Sequence, residues 1–252
     1  MKLSRTLFKN SLKSSGLRAF SDLNKYSDLQ RTQMGEGIIL VNSKDKVLDP
    51  ISKYDGHRKE YLVKDDASPH RAFSVFWFND QNELLMQQRS SDKITFPDLW
   101  TNSCCSHPLF TEDEVDEERN LGIRRAAIRR MGIELGTQKN ELTVEDFSVL
   151  GRILYKAIQD DEWGEYEIDY ILFLKKNLEF EFNHEEIRDV KWLSQDQLRE
   201  DLQNPDYKFT PWFKLITQTK LFDWWNLMIE DRLEEAVDME IQDFTKEEIK
   251  SD

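Results

Sequence analysis

A long amphipathic segment at residues 114–135 separates two groups of strand-like segments, and this order limits the folds open to the chain. Its large apolar residues recur at helical spacing, with acidic residues early and arginines late, as the dipole of a helix favours. Gly136 predicts where the helix ends. A central helix with strands before and after it predicts an α/β domain in which helices cover a mixed sheet.

Segments rich in β-branched and aromatic residues lie on both sides of that helix. They predict strands at residues 38–42, 72–78, 83–89, 147–157, 165–175 and 190–193. The second and third of these strands flank a polar turn and therefore predict a hairpin. The polar, irregular residues 51–68 predict a loop.

Further helices are predicted towards the two ends of the chain. A short helix is predicted over residues 22–31, and Ser194 begins another that runs to residue 203. Pro211 begins a long amphipathic helix that continues through Trp225. The residues from 230 onwards are very acidic and predict a frayed helix or a tail.

The composition suits one globular domain with extensions. The chain has 252 residues, of which 38% are hydrophobic and 33% are charged, so it can build a sizeable core. No stretch approaches the roughly 20 apolar residues of a membrane span, and no membrane partner is predicted. We expect a targeting segment at residues 1–20, one folded domain at residues 21–229 and an acidic extension at residues 230–252.

The charge is distributed unevenly along the chain. Residues 1–20 hold five basic and no acidic side chains, while the remainder holds 30 basic and 49 acidic side chains, a net charge of −19. That excess of negative charge argues against binding to nucleic acid or to an anionic surface. A basic, serine-rich start is typical of a mitochondrial transit peptide, although a basic tail left by chance is the alternative. We expect a mitochondrial location, with a cytoplasmic or peroxisomal one as the alternative.

Both cysteines lie in one short segment beside a histidine. Residues 96–107 (FPDLWTNSCCSH) are too turn-rich for a helix and too apolar for a solvated linker. A bridge between neighbouring cysteines closes almost no loop, so we interpret Cys104 and Cys105 as reduced thiols. A thiol close to a cation has reactive chemistry open to it, whereas a lone free cysteine is more often a small buried apolar side chain.

Three histidines, His57, His70 and His107, lie on predicted loops or at a strand start near this segment. Neutral imidazole is the commonest metal ligand in proteins. Glu165 and Glu167 are separated by one residue of a predicted strand, so both side chains face the same way and can converge on one ion. Alone, such a pair would more often be an ordinary solvated strand face.

Arg89 and Lys93 follow a predicted strand at a spacing that lets both side chains reach one polyanion. Arginine binds phosphate through two parallel hydrogen bonds, and lysine acts as a point charge. An unremarkable surface pair is the alternative, but the position just before the cysteine segment favours a phosphate site.

Several motifs, taken together and in order, resemble type I isopentenyl-diphosphate delta-isomerase. They are residues 70–76 (HRAFSVF), 87–90 (QQRS), 93–97 (KITFP), 101–109 (TNSCCSHPL) and 163–170 (WGEYEIDY). The resemblance runs from about residue 29 to residue 225. It implies a Nudix fold, a mixed β-sheet sandwiched by helices in a single catalytic domain.

The resemblance also implies the roles of individual residues. Cys105 is expected to be a catalytic residue, and Glu167 its acid–base counterpart on the opposite face of the substrate. Tyr155 is expected to form a hydrogen bond with Glu167, and Trp212 to present its ring to the reacting carbon. The diphosphate is expected to be bound by Lys53, Arg89, Lys93 and Ser106. A first divalent ion (Zn²⁺, Mn²⁺ or Mg²⁺) is expected on His57, His70, His107, Glu165 and Glu167, and Glu134 is expected to help hold a second, diphosphate-bound Mg²⁺.

The implied reaction converts isopentenyl diphosphate to dimethylallyl diphosphate by protonation and deprotonation through a carbocation, in isoprenoid biosynthesis. The implied partner is a small prenyl diphosphate, and the implied oligomeric state is a monomer. Two alternatives stay open. One is a Nudix hydrolase of a nucleoside or prenyl diphosphate, against which Arg130 argues because such an enzyme would carry a metal-binding glutamate there. The other is a non-catalytic metal-binding or interaction protein that keeps the fold.

Overall fold

A computed structural model describes residues 23–138 and 140–246. Its strands are β1 (Gly37–Val41), β2 (Val47–Ser52), β3 (His70–Phe78), β4 (Leu84–Arg89), β5 (Trp100–Thr101), β6 (Cys104–Ser106), β7 (Phe147–Ile158), β8 (Gly164–Lys175), β9 (Ile187–Leu193) and β10 (Asp238–Asp243). Its α-helices are α1 (Asp28–Met34), α2 (Lys53–His57), α3 (Lys59–Leu62), α4 (Leu121–Glu134), α5 (Gln195–Gln203), α6 (Pro211–Thr219) and α7 (Leu221–Ile229). The predicted targeting segment, residues 1–20, lies outside these residues.

The strands form a mixed sheet, as predicted. The order along its main path is β10, β7, β8, β3, β1 and β2. Strands β7 and β8 are antiparallel, whereas β3 and β8 run parallel. The predicted hairpin of β3 and β4 opens after a single pair, because β6 pairs with β3, and β5 and β9 pair with β4.

The sheet is apolar on both faces, and helices cover each face. Phe73, Val75 and Trp77 of β3 belong to a core that includes residues of α4. Phe76 and Phe78 belong to a second core that contains residues of α6 and α7. Successive side chains of a strand face opposite ways, so one apolar strand contributes to both cores. This arrangement confirms the predicted layers of helix, sheet and helix.

Helix α4 is shorter at its start than the sequence predicts. Arg119 and Asn120 have φ values of 47° and 58°, in the left-handed region, so the regular helix begins at Leu121 rather than near residue 114. Gly136 has a φ of 68°, and a Cβ there would lie 2.5 Å from the carbonyl oxygen of Glu181. Glycine is therefore required at this end of the helix, as predicted.

Three other segments differ from the prediction. Residues 51–68 were expected to form a loop, but they contain the end of β2 and the short helices α2 and α3. The long helix expected from Pro211 is divided into α6 and α7 at Lys220, whose φ of −140° is not helical. The expected acidic tail contributes β10, which pairs with β7 and adds an edge strand to the sheet.

The described residues contain no helix that is long and apolar enough to cross a membrane.

Candidate active site

A pocket opens on the sheet face that α6 and α7 cover, near the start of β8. It encloses about 500 Å³ of unoccupied space, including its mouth. Glu165, Glu167 and Asp169 line it, and two and four residues further along β8 the same face carries the core residues Ile171 and Phe173. One face of β8 thus carries carboxylates near its start and apolar core residues further along. The three acidic side chains are buried.

Glu167 is the centre of the site. The sheet register places it beside His70 of β3 and Tyr155 of β7. Its Oε1 lies 3.1 Å from Nε2 of His70 and 2.7 Å from Nε2 of His107. Its Oε2 accepts a hydrogen bond of 2.6 Å from the Tyr155 hydroxyl. All four side chains are buried, so the packing around them restricts their positions.

The three predicted histidines converge on this carboxylate. Their ring centroids lie 4.6 to 4.9 Å apart, and His57, His70, His107 and Glu167 each offer a ligand atom within 4.8 Å of the others. We call these four residues the His/Glu group. The Nδ1 of His57 lies 2.7 Å from the carbonyl oxygen of Lys53, whereas its buried Nε2 has no hydrogen-bond partner among residues 23–138 and 140–246. An imidazole held in this way has a free lone pair, as metal-ligating histidines do.

The electrostatics of the His/Glu group suit a divalent metal ion. Burial lowers the pKa of His107 to about 3, and burial also lowers that of His57 well below its usual value. Both imidazoles are therefore neutral at neutral pH. Burial raises the pKa of Glu167, but the electrostatic interactions and hydrogen bonds with His107 and His70 lower it further, and the net shift is downward. Neutral imidazoles and an ionised carboxylate are the forms in which these side chains bind metal.

Glu165 lies beside the His/Glu group but is not among its converging ligands. Its Oε2 lies 3.0 Å from the Tyr155 hydroxyl. Burial, together with the charge of Glu167, raises the pKa of Glu165 to about 8. Two neighbouring carboxylates in a buried site do not both ionise readily, which explains why Glu165 is neutral here. Strand alternation predicted the shared face of the two glutamates correctly, and Glu165 as a ligand stays a prediction.

The two cysteines face different environments, as expected for neighbours in an extended strand. Cys104 is buried in the core beside α4, while Cys105 lines the pocket. Burial raises the pKa of the Cys105 thiol to about 12, and the positive charge of Arg89 offsets this only in part. The Sγ of Cys105 lies 3.6 Å from Nη1 of Arg89. At neutral pH the pocket therefore holds a protonated thiol beside a fixed positive charge.

Arg89 is held at the boundary between the charged and aromatic parts of the pocket. Its guanidinium donates to the carbonyl oxygens of Thr95 at 2.7 Å and Phe96 at 2.9 Å. Its charge lies 5.6 Å from the centre of the Trp212 ring, which also lines the pocket. The predicted residues Arg89, Trp212 and Cys105 are thus brought together.

Three cations, Lys53, Lys93 and Arg130, line another part of the pocket, and Glu134 and Glu186 lie behind two of them. Lys93 contacts Glu186 and lies 3.5 Å from Glu134, and Arg130 contacts Glu134 and lies 3.5 Å from Glu186. Burial, and the charges of Arg130 and Lys93, lower the pKa of Lys53 to about 8. The predicted metal ligand Glu134 therefore has two cationic neighbours here, and its role as a Mg²⁺ ligand stays a prediction. The predicted residue Ser106 also lines the pocket.

Some pocket residues were missed by sequence reasoning. Asp169 accepts a 2.8 Å hydrogen bond from Ser74, and its other oxygen has no partner. Strand alternation beyond Glu167 could have identified it. Gln30 and Met34 reach the pocket from α1. No local pattern predicts their position, because it depends on how α1 packs against the domain.

Comparison with known proteins identifies the family. The NUDIX domain profile matches residues 68–213. The chain is 43% identical over 215 residues to isopentenyl-diphosphate delta-isomerase 1, chloroplastic, of Cannabis sativa, covering 83% of this chain and 75% of that protein. It is 45% identical over 219 residues to isopentenyl-diphosphate delta-isomerase IDI1 of Gibberella zeae, covering 83% of this chain and 86% of that protein.

The fold has a relative among solved structures. The crystal structure of DR0079 from Deinococcus radiodurans aligns with a TM-score of 0.50 at 19% identity, covering 74% of this chain and all of that one. At this identity the likeness supports the fold alone. The sequence relatives and the domain match show that the chain belongs to the type I isopentenyl-diphosphate delta-isomerase family of the Nudix superfamily.

Proposed function

We propose that this enzyme converts isopentenyl diphosphate into dimethylallyl diphosphate by adding a proton at one carbon and removing another from a second. The observation that carries the proposal is that Cys105 and Glu167 line one pocket. Burial raises the pKa of the Cys105 thiol, whereas the interactions with His107 and His70 lower that of the Glu167 carboxylate. An acid and a base with opposite protonation states at one pH are what such a reaction needs.

In the proposed reaction the Cys105 thiol gives its proton to the terminal methylene carbon of the substrate. The alkene electrons form the new C–H bond, which leaves a tertiary carbocation at the neighbouring carbon. Glu167 then takes a proton from the methylene group next to that carbon, on the opposite face, and the C–H electrons form the new double bond. Arg89, 3.6 Å from Sγ, stabilises the thiolate left by the first step.

The surroundings of the pocket support a cationic intermediate. The Trp212 ring presents a negative π face that stabilises positive charge. Trp212 is buried together with Phe96, whose ring centre lies 5.5 Å away, and such packing excludes water that would trap a cation. We propose that Lys53, Arg89, Lys93 and Ser106 bind the diphosphate, so that the length of the five-carbon chain determines which carbon meets Cys105.

We propose that His57, His70, His107 and Glu167 hold a divalent ion, with Glu165 as a further ligand, and that a diphosphate-bound Mg²⁺ is held with the help of Glu134. The unpartnered Nε2 of His57 supports the first site. When bound, such an ion supplies positive charge that sets the proton affinity of Glu167. Zn²⁺, Mn²⁺ and Mg²⁺ are the candidates for it.

The test is to incubate the purified protein with labelled isopentenyl diphosphate and Mg²⁺, and to measure acid-labile label and free phosphate. An allylic diphosphate ionises readily in acid, so conversion of the substrate makes the label acid-labile. The expected result is acid-labile label with no phosphate released by the enzyme. Phosphate release with the label still acid-stable would instead support the hydrolase alternative. The buried Arg130, paired with Glu134, argues against that alternative because it puts a positive charge where a hydrolase needs a metal-binding carboxylate.

We further propose that residues 1–20 direct the chain to mitochondria and that residues 21–229 form the catalytic domain, with residues 230–252 as an acidic extension that contributes β10. Five basic and no acidic side chains in residues 1–20 support the first point. Mass spectrometry of protein from its own cells should find a mature N-terminus near Ser21. An intact Met1 in cytosolic protein would contradict it.

We also propose that the enzyme acts as a monomer. Light scattering during size-exclusion chromatography measures the mass directly, and a dimer mass would contradict this proposal.

A further inference from the structure

Asn102 lies between β5 and β6, completely buried, and is not among the residues that line the pocket. Its side-chain nitrogen donates to the carbonyl oxygen of Val75 at 3.1 Å and to that of Cys104 at 2.9 Å. Its side-chain oxygen accepts from the indole Nε1 of Trp212 at 3.0 Å and from the Thr101 hydroxyl at 2.9 Å. A single amide thus joins two strands to the first turn of α6.

All the hydrogen-bonding capacity of this amide is used. A side-chain amide has two N–H donors and one oxygen with two lone pairs, and Asn102 uses each of them. In the flipped orientation the NH₂ group would face the indole N–H of Trp212, and the amide oxygen would face the carbonyl oxygens of Val75 and Cys104. In a buried site an unpaired polar group is costly, so Asn102 has one stable orientation.

Asn102 joins the strand that carries the proposed acid to the ring that is proposed to stabilise the carbocation. The carbonyl of Cys104 belongs to the peptide unit that leads directly to Cys105, the proposed acid. The indole of Trp212 has a single N–H, so the bond to Asn102 fixes how the ring is turned about its side chain. The position of the ring relative to the Cys105 strand therefore depends on Asn102.

We propose that Asn102 is a positioning residue that sets the Trp212 ring relative to the strand of Cys105, so that the ring meets the carbocation. This inference rests on the proposed function. The side chain of Asn102 makes none of its hydrogen bonds given above to Lys53, Arg89, Lys93 or Ser106, the residues proposed to bind the diphosphate, so it acts on the carbocation and not on the diphosphate. Its loss should weaken the binding of a cationic substrate analogue while leaving the binding of diphosphate unchanged.

The experiment compares two probes on the full chain loaded with divalent metal. One probe is a diphosphate whose tertiary ammonium group stands in for the carbocation, and the other is inorganic diphosphate. In Asn102→Ala, affinity for the ammonium probe should fall about tenfold or more, as expected for a displaced cation–π contact. Affinity for inorganic diphosphate should change by less than about threefold, and kcat should fall while KM for isopentenyl diphosphate stays within about threefold.

Asn79→Ala is the matched control, because Asn79 is also buried and bonded through its amide but lies at the turn after β3. It should bind both probes as the wild type does. If Asn102→Ala does not fold, Asn102→Ser keeps a polar group in the cavity and carries the same comparison.

Equal losses for both probes would show a merely structural role and overturn the proposal, as would unchanged affinity for both. A wild-type protein that does not isomerise its substrate would contradict the proposed function instead, and the ratio of the two affinities would still decide the role of Asn102.

Discussion

The Tyr155 hydroxyl donates a 2.6 Å hydrogen bond to Oε2 of Glu167. The same hydroxyl oxygen lies 3.0 Å from Oε2 of Glu165, whose pKa of about 8 leaves it protonated at neutral pH. A phenol has one proton, and the shorter of the two contacts is the one that Tyr155 makes with Glu167. Tyr155 thus stabilises the ionised form of the proposed base.

Tyr155→Phe should therefore lower kcat by about 10- to 100-fold, since Glu167 would lose a hydrogen bond that stabilises its charge. KM should change little, because the ring keeps its place between the strands. Steady-state kinetics measures both values. Tyr61→Phe is the control, because within the part of the chain that the structure describes the Tyr61 hydroxyl bonds to the main chain of Ser68, shortly after α3. A kcat in Tyr155→Phe equal to that of Tyr61→Phe would contradict this role.

The His/Glu group predicts a metal stoichiometry that depends on His57. His57→Ala removes the imidazole with the free Nε2, so we expect metal content measured by mass spectrometry to fall to less than about a tenth. Chelation should lower the melting temperature of the wild type and not that of this variant, because bound metal stabilises the folded state. His184→Ala is the control, since His184 is exposed and outside the group. Full metal content in His57→Ala would exclude His57 as a ligand.

The two cysteines should respond differently to the same substitution. Cys105→Ser should fold and bind diphosphate but lose about 10³-fold or more in kcat, because a hydroxyl is a far weaker acid than a thiol. Cys104→Ser should keep most of the rate and lose about 1–3 kcal/mol in the free energy of unfolding, because it replaces a completely buried thiol by a smaller and more polar hydroxyl. Kinetics and urea unfolding of both variants test this. An inactive Cys104→Ser beside an active Cys105→Ser would reverse the assignment.

The ion pairs behind the pocket predict an acid-dependent loss of stability. Burial raises the pKa of Glu186, but Lys93 and Arg130 lower it further, and its net pKa is well below the usual value. The stability from this group is therefore present above the unfolded pKa of about 4.3 and is lost as pH falls towards the folded value. Glu186→Gln should be less stable than wild type by about 3 kcal/mol at pH 7, because it breaks a buried pair.

The difference between Glu186→Gln and wild type should narrow as pH falls below about 4.3, because only the wild type loses this charge. Urea unfolding at a series of pH values measures it. Glu185→Gln, at an exposed neighbouring position, should match the wild type throughout. A difference that stays constant with pH would show that the stabilisation does not come from the charge of Glu186.

The fold was predictable where local pattern determines it. Segments rich in β-branched and aromatic residues specify β3, β7 and β8, and Ser194 caps α5 by accepting a hydrogen bond from the backbone N–H of Gln197. The break at Lys220 and the strand β10 depend on contacts that no local window contains. Arg152 donates to the carbonyl of Met239 at 3.0 Å and so helps to attach β10, but this partnership joins residues 87 positions apart.

The candidate site was likewise predictable only where local pattern determines it. Strand alternation predicted that Glu165 and Glu167 share a face. It could not predict that the sheet register would place Tyr155 opposite Glu167. Glu186 was missed because its partners Lys93 and Arg130 come from other parts of the chain, and only the folded structure brings these charges together.

The most direct test of the proposed chemistry is the reaction in D₂O, followed by NMR and mass spectrometry of the initial product. A thiol exchanges its proton with solvent, so protonation by Cys105 should deliver deuterium to the substrate. We predict dimethylallyl diphosphate with one deuterium in the newly formed methyl group, absent in Cys105→Ser. A rearranged product without deuterium from solvent, or the unrearranged alkene with free phosphate, would contradict the account.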